Sequence, residues 1–222
     1  MSDLGPFWLS LRVASLATLL IVAAGMPIAL LLARARFPGK GLIAGTLVLP
    51  LVLPPTVLGY YLLQLLGRRA PVGHWLEHTL GVTFVFHWWG AVVASAVAAF
   101  PLFLLPARGA FEAIDPALED VARLLGRGEW SVFAAVTLPL AWRGLAAGIV
   151  LSFARALGDF GATLMVAGNI PGLTQTASLA IYDAVQVGDA WRAGSLTFLI
   201  SAISILALVV VQRTMPGQGL AR

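Results

Sequence analysis

The chain has 222 residues, 59% of them hydrophobic and only 11% charged, with a mean hydropathy of +0.92 and a formal net charge of +4. So little charge cannot cover a soluble domain of this length, which leaves lipid as the solvent for much of its surface. Cysteine is absent, which excludes disulfides, Cys-ligated zinc and iron–sulfur clusters.

A helix needs about 20 predominantly apolar residues to cross the hydrocarbon core. Five stretches qualify: 7–33, 42–66, 83–105, 145–167 and 194–211. Each is too long for a membrane strand and lacks period-two alternation. The expectation is an all-α integral membrane protein with five transmembrane helices and one domain over 1–222. The first apolar run is too long for a cleavable signal and has no basic leader, so it stays as the first span.

The first span carries Arg12, able to snorkel to an interface, and Pro27. The second contains Pro50, Pro54 and Pro55. Each removes a backbone donor, so the helix is expected either to be irregular and packed on protein or a pathway, or merely kinked. In the connector 67–82, His74 and His78 flank Glu77 at a spacing that could share a metal. A polar amphipathic connector is the plainer explanation, and no metal site is assigned. His87-Trp88-Trp89 reads as an interfacial belt.

Residues 107–143 form a charged, helix-compatible connection. It holds Glu119, Asp120, Val121, Ala122, Gly126 and, further on, Leu138-Pro139. The fourth span contains the charged pair Arg155 and Asp159, four residues apart on one helix face. An unpaired charge at mid-depth costs at least about 2.5–3.5 kcal/mol, so a partner or a wet cavity is expected. Arg155 is either an anion attractor in a pore or half of a structural ion pair. Residues 168–193 are too polar to span and too patterned to be slack. Asn169, Pro171, Gly172, Thr174, Thr176 and Tyr182 are candidates for an external gate, with a peripheral interfacial helix over 177–187 as the alternative.

Lys and Arg near helix ends mark the cytoplasmic side. Arg34, Arg36, Lys40, Arg108, Arg123, Arg127, Arg143, Arg213 and Arg222 fall on one side, against Arg12, Arg68, Arg69 and Arg192 on the other. That balance places the N-terminus outside, and the C-terminus and the Asp120 loop in the cytoplasm.

The spacing Asp120-Val121-Ala122-x3-Gly126-x9-Val136-x-Leu138-Pro139 resembles the E-A-A-x3-G-x9-I-x-L-P signature of ABC import permeases. Phe153 to Thr163, Asn169-Ile170-Pro171-Gly172, Ala180-Ile181-Tyr182, Phe37-Pro38-Gly39-Lys40 and Leu49 to Pro55 resemble the molybdate permease family. The resemblance implies a type I importer fold, a homodimeric pore in the bacterial inner membrane, two cytoplasmic ATP-binding subunits and an external binding protein. It also implies that the loop from Glu119 to Pro139 docks on the ATPase. Asp120 and Val121 replace the usual Glu and Ala, and Asp159 stands where that family more often has Glu.

No G-x-x-x-x-G-K-[ST], G-x-S-x-G or H-E-x-x-H occurs, so the chain is expected not to be an enzyme. It is expected to bind no cofactor and no nucleic acid; ATP and Mg belong to the partner. Molybdate import is the leading function. The same machine carrying sulfate or tungstate comes next, then a secondary transporter, for which inverted repeats and an ion relay would be needed. A non-transporting anchor would leave the docking loop unexplained.

Overall fold

The computed structural model describes residues 4–81 and 83–214; Val82 of the 67–82 connector and Arg222 of the tail lie outside them. The described residues form helices and turns only. In order these are α1 (Gly5–Arg34), α2 (Lys40–Val52), α3 (Pro55–Leu66), α4 (Pro71–Leu80), α5 (Trp88–Glu112), α6 (Pro116–Leu124) and α7 (Glu129–Val132). A π-helical turn (Phe133–Thr137) leads into α8 (Leu138–Leu157), followed by α9 (Gly161–Ala167), α10 (Ala177–Gln186) and α11 (Ala190–Thr214).

The core is a three-helix seam of α1, α5 and α8. Ala14, Ala17 and Ile21 meet Ala99, Phe103 and Ala107, and Leu145 and Leu157 close the third side. Phe103 is fully buried. A methyl placed on Gly25 would lie 2.7 Å from its ring, and one on Gly148 would lie 3.0 Å from it. Both glycines are therefore small because the helices touch there, as membrane helices do when van der Waals packing replaces the hydrophobic drive. Outward-facing Leu19, Leu31, Leu42, Phe198 and Leu206 remain exposed, an apolar belt suited to lipid.

Among the described residues four helices are long and apolar enough to cross a membrane: Gly5–Arg34, Trp88–Glu112, the continuous run Glu129–Leu157, and Ala190–Val209. The expected second span departs from a simple helix. It divides into α2 and α3, which diverge by 117° at the break. Pro54 and Pro55 cause this: neither can donate a backbone bond, and the residue before a proline is driven to extended geometry, as Leu53 is at φ −68°, ψ 138°. The fourth span also begins and ends elsewhere than expected. Its helix runs back to Glu129, and Gly158 to Phe160 interrupt it before α9. Much of the 107–143 connection is thus helical, with α5 extending to Glu112 and α6 a separate short helix.

Arg12 lies with its guanidinium 4.1 Å from the Trp88 ring centre, a cation–π contact at the Trp88 end of the bundle. Trp88 and Trp89 are stacked at 4.1 Å. At that end α9 packs on α3 and α5 through Leu58, Leu62, Ala94, Ala98, Ala162 and Val166.

Candidate functional site

At the Arg34 end of the bundle, α6 is built to be held on one side and open on the other. Asp115 caps it by accepting the Ala117 N–H at 2.9 Å, and Pro116 occupies the first turn. Its termination explains Gly126. The Gly126 N–H bonds the Arg123 carbonyl, the Arg127 N–H bonds the Ala122 carbonyl, and Gly126 sits at φ +82°. This is a Schellman ending, whose left-handed residue favours glycine.

Glu119 and Ala122 face the bundle and are buried. The Glu119 carboxylate accepts from Arg34 Nη2 at 2.6 Å and from Thr137 Oγ1 at 2.7 Å. One side chain therefore ties α6 to the end of α1 and to the π turn before α8. The π turn has a local cause. Pro139 lacks the N–H that would bond residue 135, and its ring would crowd that residue's carbonyl. The ladder widens instead, with the Leu138 N–H reaching the Phe133 carbonyl five residues back. Thr137, the last residue of that turn, is buried against Glu119. Leu138-Pro139 thus acts on backbone geometry, and Pro139 itself remains exposed.

Asp120 and Val121 point away from the bundle. Asp120 pairs with Arg123 at 2.7 Å, and Arg123 also holds Glu129 at 2.8 Å. Those hydrogen bonds, Glu129 first and Asp120 second, raise the Arg123 pKa further above its ordinary value and keep it cationic. Leu118, Val121, Leu124 and Leu125 are exposed. Between α6 and the π turn runs an open groove of about 470 Å³, lined by Leu118, Val121, Leu125, Val136, Pro139 and Leu140.

At the opposite end, Arg155 Nη1 donates to Asp159 Oδ1 at 3.0 Å. Asp159 Oδ2 also accepts the Thr163 N–H at 2.9 Å and the Thr163 hydroxyl at 2.7 Å. Asp159 therefore caps α9, and Thr163 extends the network to Ser95 of α5 at 3.3 Å.

The segment before α10 is locked rather than loose. Asn169 Nδ2 donates to Asp183 Oδ1 at 2.8 Å, and Gln175 Nε2 to Asp183 Oδ2 at 2.6 Å. Thr174 Oγ1 accepts from the Ile170 N–H and donates to the Gly168 carbonyl. The Ala177 N–H reaches Ser10 of α1 at 2.8 Å. Thr176 is buried, Pro171 and Gly172 are exposed, and Tyr182 packs on Phe160 with ring centres 5.2 Å apart. The structure thus holds Asn169 and Thr174 in the hydrogen-bonded segment and buries Thr176, but leaves Pro171 and Gly172 exposed. Sequence reasoning counted Arg34 only as a charge and missed Thr137 and Asp183, the partners of Glu119 and Asn169, and Gln175, which shares Asp183 with Asn169.

The His74 and His78 rings lie 4.4 Å apart on α4, tilted by 42°. Among the described residues no three His, Cys, Asp or Glu side chains gather as a metal site.

Residues 25–215 match the family described as the binding-protein-dependent transport system inner membrane component. The molybdenum transport system permease protein ModB of Escherichia coli K12 is 47% identical over 203 residues, covering 91% of this chain and 89% of that protein. ModB of Azotobacter vinelandii is 41% identical over 220 residues, covering 97% and 96%. The putative molybdenum permease YvgM of Bacillus subtilis 168 is 42% identical over 208 residues, covering 94% and 92%. Among solved structures, the inward-facing MetNI methionine ABC transporter superposes with a TM-score of 0.70 at 17% identity, covering 94% of this chain and 92% of that one. A bacterial ABC transporter that imports alginate gives 0.71 at 17% identity, covering 96% and 78%. At that identity the likeness concerns the fold. The chain belongs to the binding-protein-dependent inner membrane transport components and, within them, to the molybdenum transport permeases.

Proposed function

We propose that this chain is the membrane-spanning permease subunit of an ATP-driven importer whose cargo is molybdate. It is a multi-pass inner membrane component rather than an ATPase, and it works with a binding protein and an ATP-hydrolysing partner. The observation that carries the reading is the α6 junction. A short helix with an exposed apolar face is tied by one buried carboxylate to both α1 and the π turn that leads into α8.

In this reading α6 lies in the cytoplasm, as the arginine distribution requires, and the N-terminus lies outside. The ATPase grips Leu118, Val121 and Leu125 and the groove beside them. When ATP closes the ATPase pair, α6 moves as a unit, because its cap and Schellman ending fix both termini. Glu119 passes the displacement to Arg34 and Thr137. Through α8 the motion reaches the break at Gly158, some 20 residues away and about 30 Å along the helix. Two copies of the chain enclose the pathway, and residues 168–177 with Tyr182 flank its outer mouth. The cargo comes from the relatives: three permeases at 41–47% identity over more than nine-tenths of the chain all carry molybdenum in their names.

The test is reconstitution with the partner ATPase and binding protein, measuring ATP hydrolysis stimulated by molybdate, tungstate and sulfate in turn. Stimulation by molybdate at the lowest concentration is expected. Stimulation by sulfate alone would keep the machine and overturn the cargo.

A further inference from the structure

The Arg155–Asp159 pair is asymmetric, and the asymmetry separates two roles that spacing alone leaves open. Asp159 is 2% exposed, and three donors occupy its oxygens: Arg155 Nη1, the Thr163 N–H and the Thr163 hydroxyl. It is consumed in capping α9. Arg155 keeps 30% of its side chain exposed, and Asp159 is its only protein acceptor among the described residues. The guanidinium lines a cleft of about 460 Å³ together with Pro55, Thr56, Gly158, Phe160 and Leu164.

That cleft lies where the two helix breaks meet. A methyl placed on Gly161, just after the α8–α9 break, would fall 2.8 Å from Pro55 Cβ, just after the α2–α3 break. Broken backbone inside a membrane is tolerated only against protein or water, and a guanidinium with free donors has the same requirement. The cleft therefore has to open on protein or water rather than on lipid. Its depth follows from Ser95, bonded to the Asp159–Thr163 network seven residues along α5 from Trp88. At 1.5 Å per residue this is about 10 Å inside the tryptophan belt.

We infer that Arg155 is an oxyanion-binding residue of the translocation path, offering its unpaired N–H groups to a tetrahedral dianion while Asp159 holds it in place. The inference rests on the permease function proposed above. Guanidinium forks suit oxyanions because two parallel N–H groups meet two oxygens. The nearby Asp159 carboxylate weakens the attraction, which a pathway needs, since a site must release what it binds. Thr56, an exposed residue with a hydroxyl, lines the same cleft.

The absence of native cysteine makes a direct test available. Arg155→Cys is reconstituted with the ATPase and binding protein in proteoliposomes, and labelled molybdate uptake is measured. Uptake is expected to fall at least tenfold. Modification with a cationic aminoethyl thiosulfonate should restore it several-fold, an anionic sulfonatoethyl reagent should not, and molybdate should slow both reactions. Equal restoration by the two reagents, or wild-type uptake by Arg155→Cys, overturns the inference. Should Arg155→Cys fail to assemble, Arg155→Lys and Arg155→Gln replace it. Lys is expected to retain several-fold more uptake than Gln, and equal uptake overturns the inference. Full recovery of uptake in Arg155→Gln with Asp159→Asn would likewise reduce Arg155 to a charge partner and overturn it. Wild-type vesicles that take up no oxyanion would sink the permease function itself, a result distinct from all of these.

Discussion

Replacing Glu119 with Ala should release α6 from the bundle, whereas the same change at its neighbour Asp120 should not. Glu119 makes two charge-assisted hydrogen bonds, at 2.6 Å to Arg34 and 2.7 Å to Thr137, with 9% of its side chain exposed. Bonds to a charged group contribute about 1.5–3 kcal/mol each. Arg34 keeps 28% exposure, so water recovers part of its loss and the lower end applies. The sum, about 3 kcal/mol, meets the lower bound for breaking a buried pair by removing one partner. It corresponds to more than about a hundredfold shift toward the undocked helix. Asp120 is 66% exposed and bonds only Arg123, so its removal should cost at most about 1 kcal/mol. Hydrogen exchange of the α6 amides in nanodiscs, together with ATP hydrolysed per oxyanion imported, measures both effects. Glu119→Ala should exchange faster and waste ATP, with Glu119→Gln intermediate because it keeps an acceptor for Thr137. Equal protection and equal coupling in the Glu119 and Asp120 variants would refute the assignment of Glu119 as the tie.

Gly126→Val should weaken coupling more than Gly126→Asn. No atom lies within 4 Å of the added carbon, so the cost is the φ of +82°, which asparagine tolerates better. Coupling ratios in the two variants check this, and equal loss would point to a steric role instead. Gly144→Val should destabilise the α5–α8 seam, because its Cβ would fall 2.5 Å from Ala110 Cβ. A cost of about 1–3 kcal/mol is expected, read as a lower melting temperature in detergent. Asp183→Ala should loosen residues 168–177 by stranding the amides of Asn169 and Gln175. Faster protease cleavage there, with α1 and α5 unaffected, is the expected result.

The helical class, most of the membrane-length segments and the charged connection between two of them are written in composition, because each depends on a local run of apolar or charged residues. The breaks are written less plainly. Pro54 and Pro55 announce that a helix is disturbed, but a 117° divergence also requires α9 to receive α3, and that contact is made by residues a hundred positions away. The same limit governs the junction. Motif spacing points to Asp120, since the pattern counts back from Gly126, yet three-dimensional packing selects Glu119. On a helix one position is a turn of about 100°, enough to move a carboxylate from solvent to the bundle face. A sequence cue does exist in retrospect: Glu119 and Ala122, three apart, share the face that lacks large apolar residues, whereas Leu118, Val121 and Leu125 share the other. An amphipathic helix that turns its leucines outward and buries its glutamate fits the docking role proposed for it, with the bundle below and a second protein above. Thr137 had no such cue, because its inward orientation depends on a π turn that Pro139 creates two residues later. What the sequence leaves out is thus the pair of donors, Arg34 and Thr137, that complete Glu119, because both come from outside α6.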